Sequence, residues 1–243
     1  DCLLSRGLGD VYKRQVQRLI RAPEIGYVSF TGSVRGGRIV EESAAGRFIG
    51  VGLELGGNDP AYVRADAKLD HAVETLVDGA FFNSGQSCCG IQRIYVARPQ
   101  YEEFVERAVA LTNTYVLGNP LHADTTLGPV VRARAAADIR EVIAEAVAAG
   151  AQNLIDPSHF QNASKSSPYV APALLTRVNH RMRVMNDECF GPVVGIMPVD
   201  TDDEAVALMN DSPYGLTAAV FTQDEDAALA LGRQVRTGTF FMN

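Results

Sequence analysis

A chain of 243 residues is one large domain or two small ones, and at 47% hydrophobic it can bury a sizeable core. Its net charge of −7 argues against nucleic acid and anionic membrane surfaces as partners, and no apolar run reaches transmembrane length. Four cysteines, two of them adjacent and none in a CxxC, make neither a disulfide framework nor a zinc site, which suits a reducing, cytoplasmic compartment.

Residues 1–15 carry few apolar residues in any period and lack the apolar stretch and cleavage site of a signal peptide. The string Asp10-Val11-Tyr12-Lys13-Arg14-Gln15 looks like translated adapter sequence, so this stretch is expected to be a non-native leader. From Val16 the chain alternates helix and strand. Tyr27–Phe30 reads as a strand, and Gly32-Ser33 as a turn into a helix around Arg38–Ala45. A strand, a glycine turn and a helix N-terminus form an anion site, because free N–H groups and the helix dipole face the ligand. An ordinary strand–helix turn has the same residues.

Gly50–Glu54 reads as a short buried strand ending in a carboxylate. Its nearly uncharged surroundings would partly desolvate Glu54 and raise its pKa into the range of a general base. The plainer reading is a solvated strand end. The turn at Gly56–Pro60 is the expected domain boundary, and Ala61–Val63 is another strand. Leu69, Ala72, Val73, Leu76, Val77 and Ala80 fall on one face of a helix, with Asp66 as its expected cap.

That helix delivers the chain to Asn83-Ser84-Gly85-Gln86-Ser87-Cys88-Cys89, a small polar turn before the strand-like Ile94–Ala97. A thiol at such a junction can lie exposed in a cleft, where nearby backbone N–H groups would activate it as a nucleophile. Taken alone, Cys88 and Cys89 read equally as small buried hydrophobes. Beyond them, Tyr101, Phe104, Val105 and Ala108 mark one helix, and Ile139, Val142, Ile143, Ala146 and Val147 another, closed by Gly150. Asp156–Pro168 is loop-like, and Val193–Met197 is a strand. Thr201 with Glu204, and Thr222 with Glu225, read as capping boxes, and Leu216–Phe221 and Thr239–Met242 as closing strands. His71, His122, His159 and His180 show no metal-ligand spacing and read as surface or loop residues. The alternation argues for an α/β fold of mainly parallel sheets with flanking helices.

Four stretches stand in one order: Phe30-Thr31-Gly32-Ser33, Glu54-Leu55-Gly56-Gly57, Asn83 to Cys88, and Glu188-Cys189-Phe190-Gly191-Pro192. Together they resemble the aldehyde dehydrogenase superfamily, from about Val16 to Asn243. The resemblance implies an incomplete aldehyde-dehydrogenase-like fold. Residues 16–56 would be the C-terminal part of a nucleotide-binding domain, and residues 57–243 a catalytic thiol domain truncated at its C-terminus. It implies an NAD or NADP cofactor, NAD being favoured by family frequency. Gly32, Ser33 and Leu55 would lie on the cofactor, with Gly32 and Ser33 against its pyrophosphate. Glu188 would hold a ribose diol and Phe190 would pack on the nicotinamide, while Asn243 matches a position near the active site. Cys88 would attack an aldehyde to give a thiohemiacetal and, after hydride loss, a thioester, and Glu54 would activate the water that releases a carboxylic acid. A cytoplasmic homo-oligomer is implied for the parent protein. This chain, covering about half of a family member and lacking an Asn oxyanion donor, is expected to be inactive alone. Two other readings are a cysteine-dependent thioester or ester hydrolase with a His base, and a non-catalytic family member with a structural or binding role. No histidine has a motif tying it to the thiol, and the joint presence of Glu54, Cys88 and Glu188 argues against the last.

Overall fold

A computed structural model describes residues 14–160, 162–164 and 166–243. The expected leader therefore lies outside the described residues except at 14 and 15, which open a helical stretch over 14–20. The chain divides after Gly56 into two compact units.

In the first unit, strands β1 (Tyr27–Thr31) and β2 (Gly50–Glu54) run parallel, paired from Tyr27 with Gly50 to Thr31 with Glu54. Helix α1 (Val34–Ala44) connects them. Its buried Val40 and Ala44 join Ile20 under Val28, Phe30, Val51 and Leu53. Strand β2 is not buried as the sequence suggests: none of its five residues is, and Glu54 is exposed. A strand with one neighbour and a single connecting helix keeps much of its surface in water.

The second unit is a three-layer α/β structure. Its strands are β3 (Asp59–Val63), β4 (Ile91–Ala97), β5 (Gln152–Asn153), β6 (Ala173–Thr176), β7 (Val193–Val199), β8 (Thr217–Phe221) and β9 (Thr239–Met242). They form one sheet in the order β5-β6-β7-β4-β3-β8-β9, parallel throughout except for the β5–β6 pair. Strand residues alternate between the faces, and both faces are covered, as a parallel sheet requires. Ala61, Val63, Ile94 and Val96 point into one core with α2 (Leu69–Phe81) and α3 (Arg98–Thr112). Tyr62, Tyr95 and Ala97 point into the other, with α4 (Ala133–Ala148), α5 (Asp202–Asn210) and α6 (Glu225–Gly232). Each fully buried Leu, Ile or Phe in these cores contributes about 1.5–3 kcal/mol. Among the described residues no helix is long and apolar enough to cross a membrane.

Helix α2 buries Ala72, Val73, Leu76, Val77 and Ala80 of the expected stripe, leaving Leu69 half-buried at its first turn, but Asp66 does not cap it. Lys68 occupies the cap position, and Asp66 accepts hydrogen bonds from Thr222 Oγ1 at 2.8 Å and Gln223 N at 2.9 Å. Thr222 is thereby engaged, and helix α6 is capped instead by Asp224, whose side chain accepts from Ala227 N at 2.9 Å. The Thr201 cap of α5 forms as read, with Glu204 returning to the Asp200 N–H.

Candidate active site

The site in the second unit lies at the amino ends of four adjacent strands, β7, β4, β3 and β8. Gly57 and Asn58 precede β3, Cys88 and Cys89 precede β4, Glu188 to Pro192 precede β7, and Leu216 precedes β8. Residues far apart in sequence meet there because parallel strands start side by side.

Cys88 follows a turn of three consecutive left-handed residues, Asn83 (φ 50°), Ser84 (φ 57°) and Gly85 (φ 72°). Such a conformation costs a non-glycine residue on the order of 1 kcal/mol or more, so it must be held from outside. Ser84 Oγ donates to the Gly128 carbonyl at 2.7 Å, and Gln86 Oε1 accepts from Val131 N at 2.7 Å. Asn83 Nδ2 and Gln86 Nε2 each donate to the other's carbonyl, at 3.1 and 3.0 Å. The polar residues that the sequence marks as a turn thus lock it to the 128–131 loop. Cys88 and Cys89 are exposed, and Cys189 is buried. Partial burial, and next the neighbouring Cys89, push the Cys88 thiol above its ordinary pKa, while the backbone N–H groups of both cysteines pull it down. The lowering expected from backbone donors is therefore outweighed in this state.

Gly57 is the joint between the nucleophile and the carboxylate loop. A Cβ on it would stand 2.4 Å from the Cys88 carbonyl oxygen. Its N–H donates to Glu188 Oε1 at 3.1 Å. Glu188 is half-buried, and desolvation raises its pKa against the lowering by that N–H. Phe190, beside it, keeps 45% of its surface exposed.

No sequence motif marks the polar groups beneath this surface. Arg93 is 1% exposed; it donates to the carbonyls of Asn58 (2.9 Å), Leu208 (3.1 Å) and Met209 (3.2 Å), and to Tyr95 Oη (3.2 Å). Asp59, also buried, accepts from Thr217 Oγ1, and desolvation pushes its pKa to about 6. The one signal in the sequence is Gln92-Arg93 interrupting an otherwise apolar strand. His180 is a loop residue, as read, but a half-buried one: its Nε2 lies 2.9 Å from Tyr95 Oη and its Nδ1 2.8 Å from Asp211 Oδ2. Asn243 pairs with Thr222, accepting from its N–H and donating to its carbonyl, each at 3.0 Å. Among the described residues no three His, Cys, Asp or Glu side chains are grouped to hold a metal.

In the first unit, Ser33 caps α1 by accepting from Gly36 N at 3.2 Å, and no acidic residue stands in the helix's first turn. Gly32 N donates to the Glu54 carbonyl at 2.9 Å. Leu55 packs over α1 so closely that a Cβ on Gly37 would be 2.7 Å from its Cδ2. Gly32, Ser33, Glu54 and Leu55 are thus grouped at one end of the β1–β2 pair, and Cys88, Glu188 and Phe190 belong to the second unit.

The chain is 38% identical to the cytosolic aldehyde dehydrogenase 1 of Rattus norvegicus, over 90% of its own length and 44% of the relative's. It is 35% identical to the lactaldehyde dehydrogenase of Escherichia coli K12, over 93% of its length and 47% of that enzyme. The solved structure of lactaldehyde dehydrogenase from Escherichia coli superposes with a TM-score of 0.87 at 36% identity, covering 93% of this chain and 47% of that one. Betaine aldehyde dehydrogenase from Staphylococcus aureus, solved in complex with NAD+, gives 0.85 at 30% identity, covering 93% and 45%. This chain therefore spans about half the length of the curated relatives it matches. The sequence pattern of the aldehyde dehydrogenase family matches residues 10–243, so it begins inside the stretch set aside as leader. With that match over nearly the whole chain, on a fold shared with solved members, the protein belongs to the aldehyde dehydrogenase family.

Proposed function

We propose that the parent protein oxidises an aldehyde to a carboxylic acid with NAD or NADP, using Cys88 as nucleophile and Glu54 as the base of the hydrolytic step. The observation that carries this reading is an exposed Cys88 thiol just after a left-handed turn tied down by Ser84 and Gln86. A nucleophile fixed in this way loses little freedom on reaching its target.

Each unit carries residues whose chemistry suits part of a dinucleotide. The amino end of α1, free of acidic side chains, suits a pyrophosphate approached past Gly32 and Ser33, with Leu55 beside them. Glu188 is an acceptor for a ribose diol, and the exposed Phe190 ring is a flat apolar surface for a nicotinamide. When bound, the nicotinamide supplies the hydride acceptor. That the Staphylococcus aureus relative is seen with NAD+ supports NAD as a cofactor here.

The Cys88 thiolate forms a bond to the aldehyde carbon as the carbonyl electron pair moves to oxygen. The Cys88 backbone N–H donates to that oxygen, the class of contact worth about 3–4 kcal/mol in acyl-transfer sites. After oxidation leaves a thioester on Cys88, Glu54 takes a proton from water. The resulting hydroxide attacks the thioester carbon, releasing the acid and restoring the thiolate. The hydrolase reading has no support from His180, which is engaged with Tyr95 and Asp211. A cytoplasmic homo-oligomer remains the proposal for the parent.

The test is Cys88→Ser and Cys89→Ser in the full-length parent, with NAD or NADP reduction followed over a panel of aldehydes. Loss of at least about 10³-fold in the first alone supports the reading. Equal loss in both, or none in the first, overturns the assignment.

A further inference from the structure

We infer that Gln92, joined to Asn58, is a positioning residue that sets Glu188 for the cofactor; this rests on the reading of Glu188 as the ribose ligand. The two amides grip Glu188 from both sides. Asn58 Nδ2 donates to the carbonyl of Asp187 at 3.1 Å, and Gln92 Oε1 accepts from the N–H of Cys189 at 2.7 Å. Asn58 Nδ2 also donates to Gln92 Oε1 at 3.1 Å, which makes the pair one unit. Gln92 Nε2 lies 3.4 Å from the carbonyl of Gly57, the residue whose N–H holds Glu188 Oε1. The peptide groups before and after Glu188 and the donor to its carboxylate are therefore fixed by one buried pair.

Burial makes this more than a surface tether. Asn58 is 1% exposed and Gln92 3%. A buried amide costs stability unless its groups are paired, so each of these hydrogen bonds resists being broken. The orientation of Asn58 is determined as well, because its NH2 faces two acceptors. Its Oδ1 is buried with no partner, and a flipped amide would set that oxygen against two other oxygens. The same pair reaches the nucleophile through Gly57, which lies against the Cys88 carbonyl. A loop carrying an exposed Phe190 and a half-buried Glu188 would otherwise be free to adjust.

The test uses the full-length parent and reads NADH affinity by nicotinamide fluorescence, alongside thermal midpoint and aldehyde turnover. Gln92→Met removes the acceptor at similar volume. Expected is an NADH Kd raised about three- to tenfold, the size of one net hydrogen bond, with kcat at saturating cofactor changed less. Gln92→Glu keeps the acceptor and is expected to stay closer to the wild type. Adding Gln92→Met to Glu188→Ala is expected to weaken binding no further, because Gln92 acts through Glu188. If Glu188→Ala itself leaves NADH binding unchanged, the reading of Glu188 fails, and this inference with it. If Glu188→Ala weakens binding while Gln92→Met lowers only the thermal midpoint, the inference alone is overturned. Should Gln92→Met not fold, Asn58→Ser decides on the same terms, since it removes the donor to both Asp187 and Gln92.

Discussion

Gly85, in the turn before the nucleophile, lies so close to Gly191 that a Cβ on it would stand 2.0 Å from the Gly191 carbonyl oxygen. The two residues belong to the thiol turn and the Glu188 loop, and they touch backbone to backbone. Only a residue without a side chain permits this approach. Gly85 also has φ +72°, so position and conformation demand glycine independently.

Gly85→Ala is therefore expected to force the two loops apart and to destabilise the protein by about 2–4 kcal/mol, combining overpacking with left-handed strain. Chemical denaturation of wild type and variant measures the cost. A loss under about 0.5 kcal/mol, the size of a neutral surface change, would show that the contact yields easily.

The Cys88 thiol is held above its ordinary pKa, chiefly by burial and next by Cys89. Its thiolate fraction at neutral pH is then below that of a free cysteine. Alkylation of Cys88 by iodoacetamide, mapped by peptide mass, should keep accelerating as pH rises past the ordinary thiol range. Cys89→Ala should move that profile to lower pH, because the neighbouring sulfur raises the pKa. Saturation below pH 8 in the wild type would contradict this.

Glu54 is assigned to hydrolysis and not to attack. In the parent, Glu54→Gln should leave a rapid burst of reduced cofactor while steady turnover falls about 10²-fold or more. Rapid-mixing absorbance separates the two phases. A burst lost together with turnover would place Glu54 before the thioester.

Asp59 gives the protein a pH-dependent stability. Its pKa is raised from 3.8 to about 6, first by desolvation. Between these values the folded state binds more protons than the unfolded state, so Asp59 makes stability fall as pH rises through that window. The expected loss is about 3 kcal/mol, at roughly 1.4 per pH unit. Asp59→Asn should remove this slope, gaining on the wild type as pH goes from 4 to 7. Urea denaturation at those two pH values tests it; parallel curves would mean that Asp59 titrates normally.

The sequence by itself determined the periodic elements. The helical spacing of Ala72, Val73, Leu76, Val77 and Ala80 is local information, and that face is buried in the structure. Strand-helix alternation determined the parallel sheet, because parallel neighbours need crossovers of that length. The ordered motifs around Glu54, Cys88 and Glu188 were enough to name the family. Decisions between distant polar groups belonged to the tertiary structure. Asp66 and Thr222 look like caps for the helices that follow them, yet they bond each other across 156 positions and leave Lys68 and Asp224 at those cap positions. His180 has no sequence motif, and the fold sets it, half-buried, against Tyr95. Gln92 reads as one polar residue in a strand until the sheet order sets the starts of β3, β4 and β7 side by side and brings Asn58 and Cys189 to it. The physical reason is range: hydrophobic periodicity repeats every few residues, whereas the partner of a buried amide is fixed only when the strands take their places.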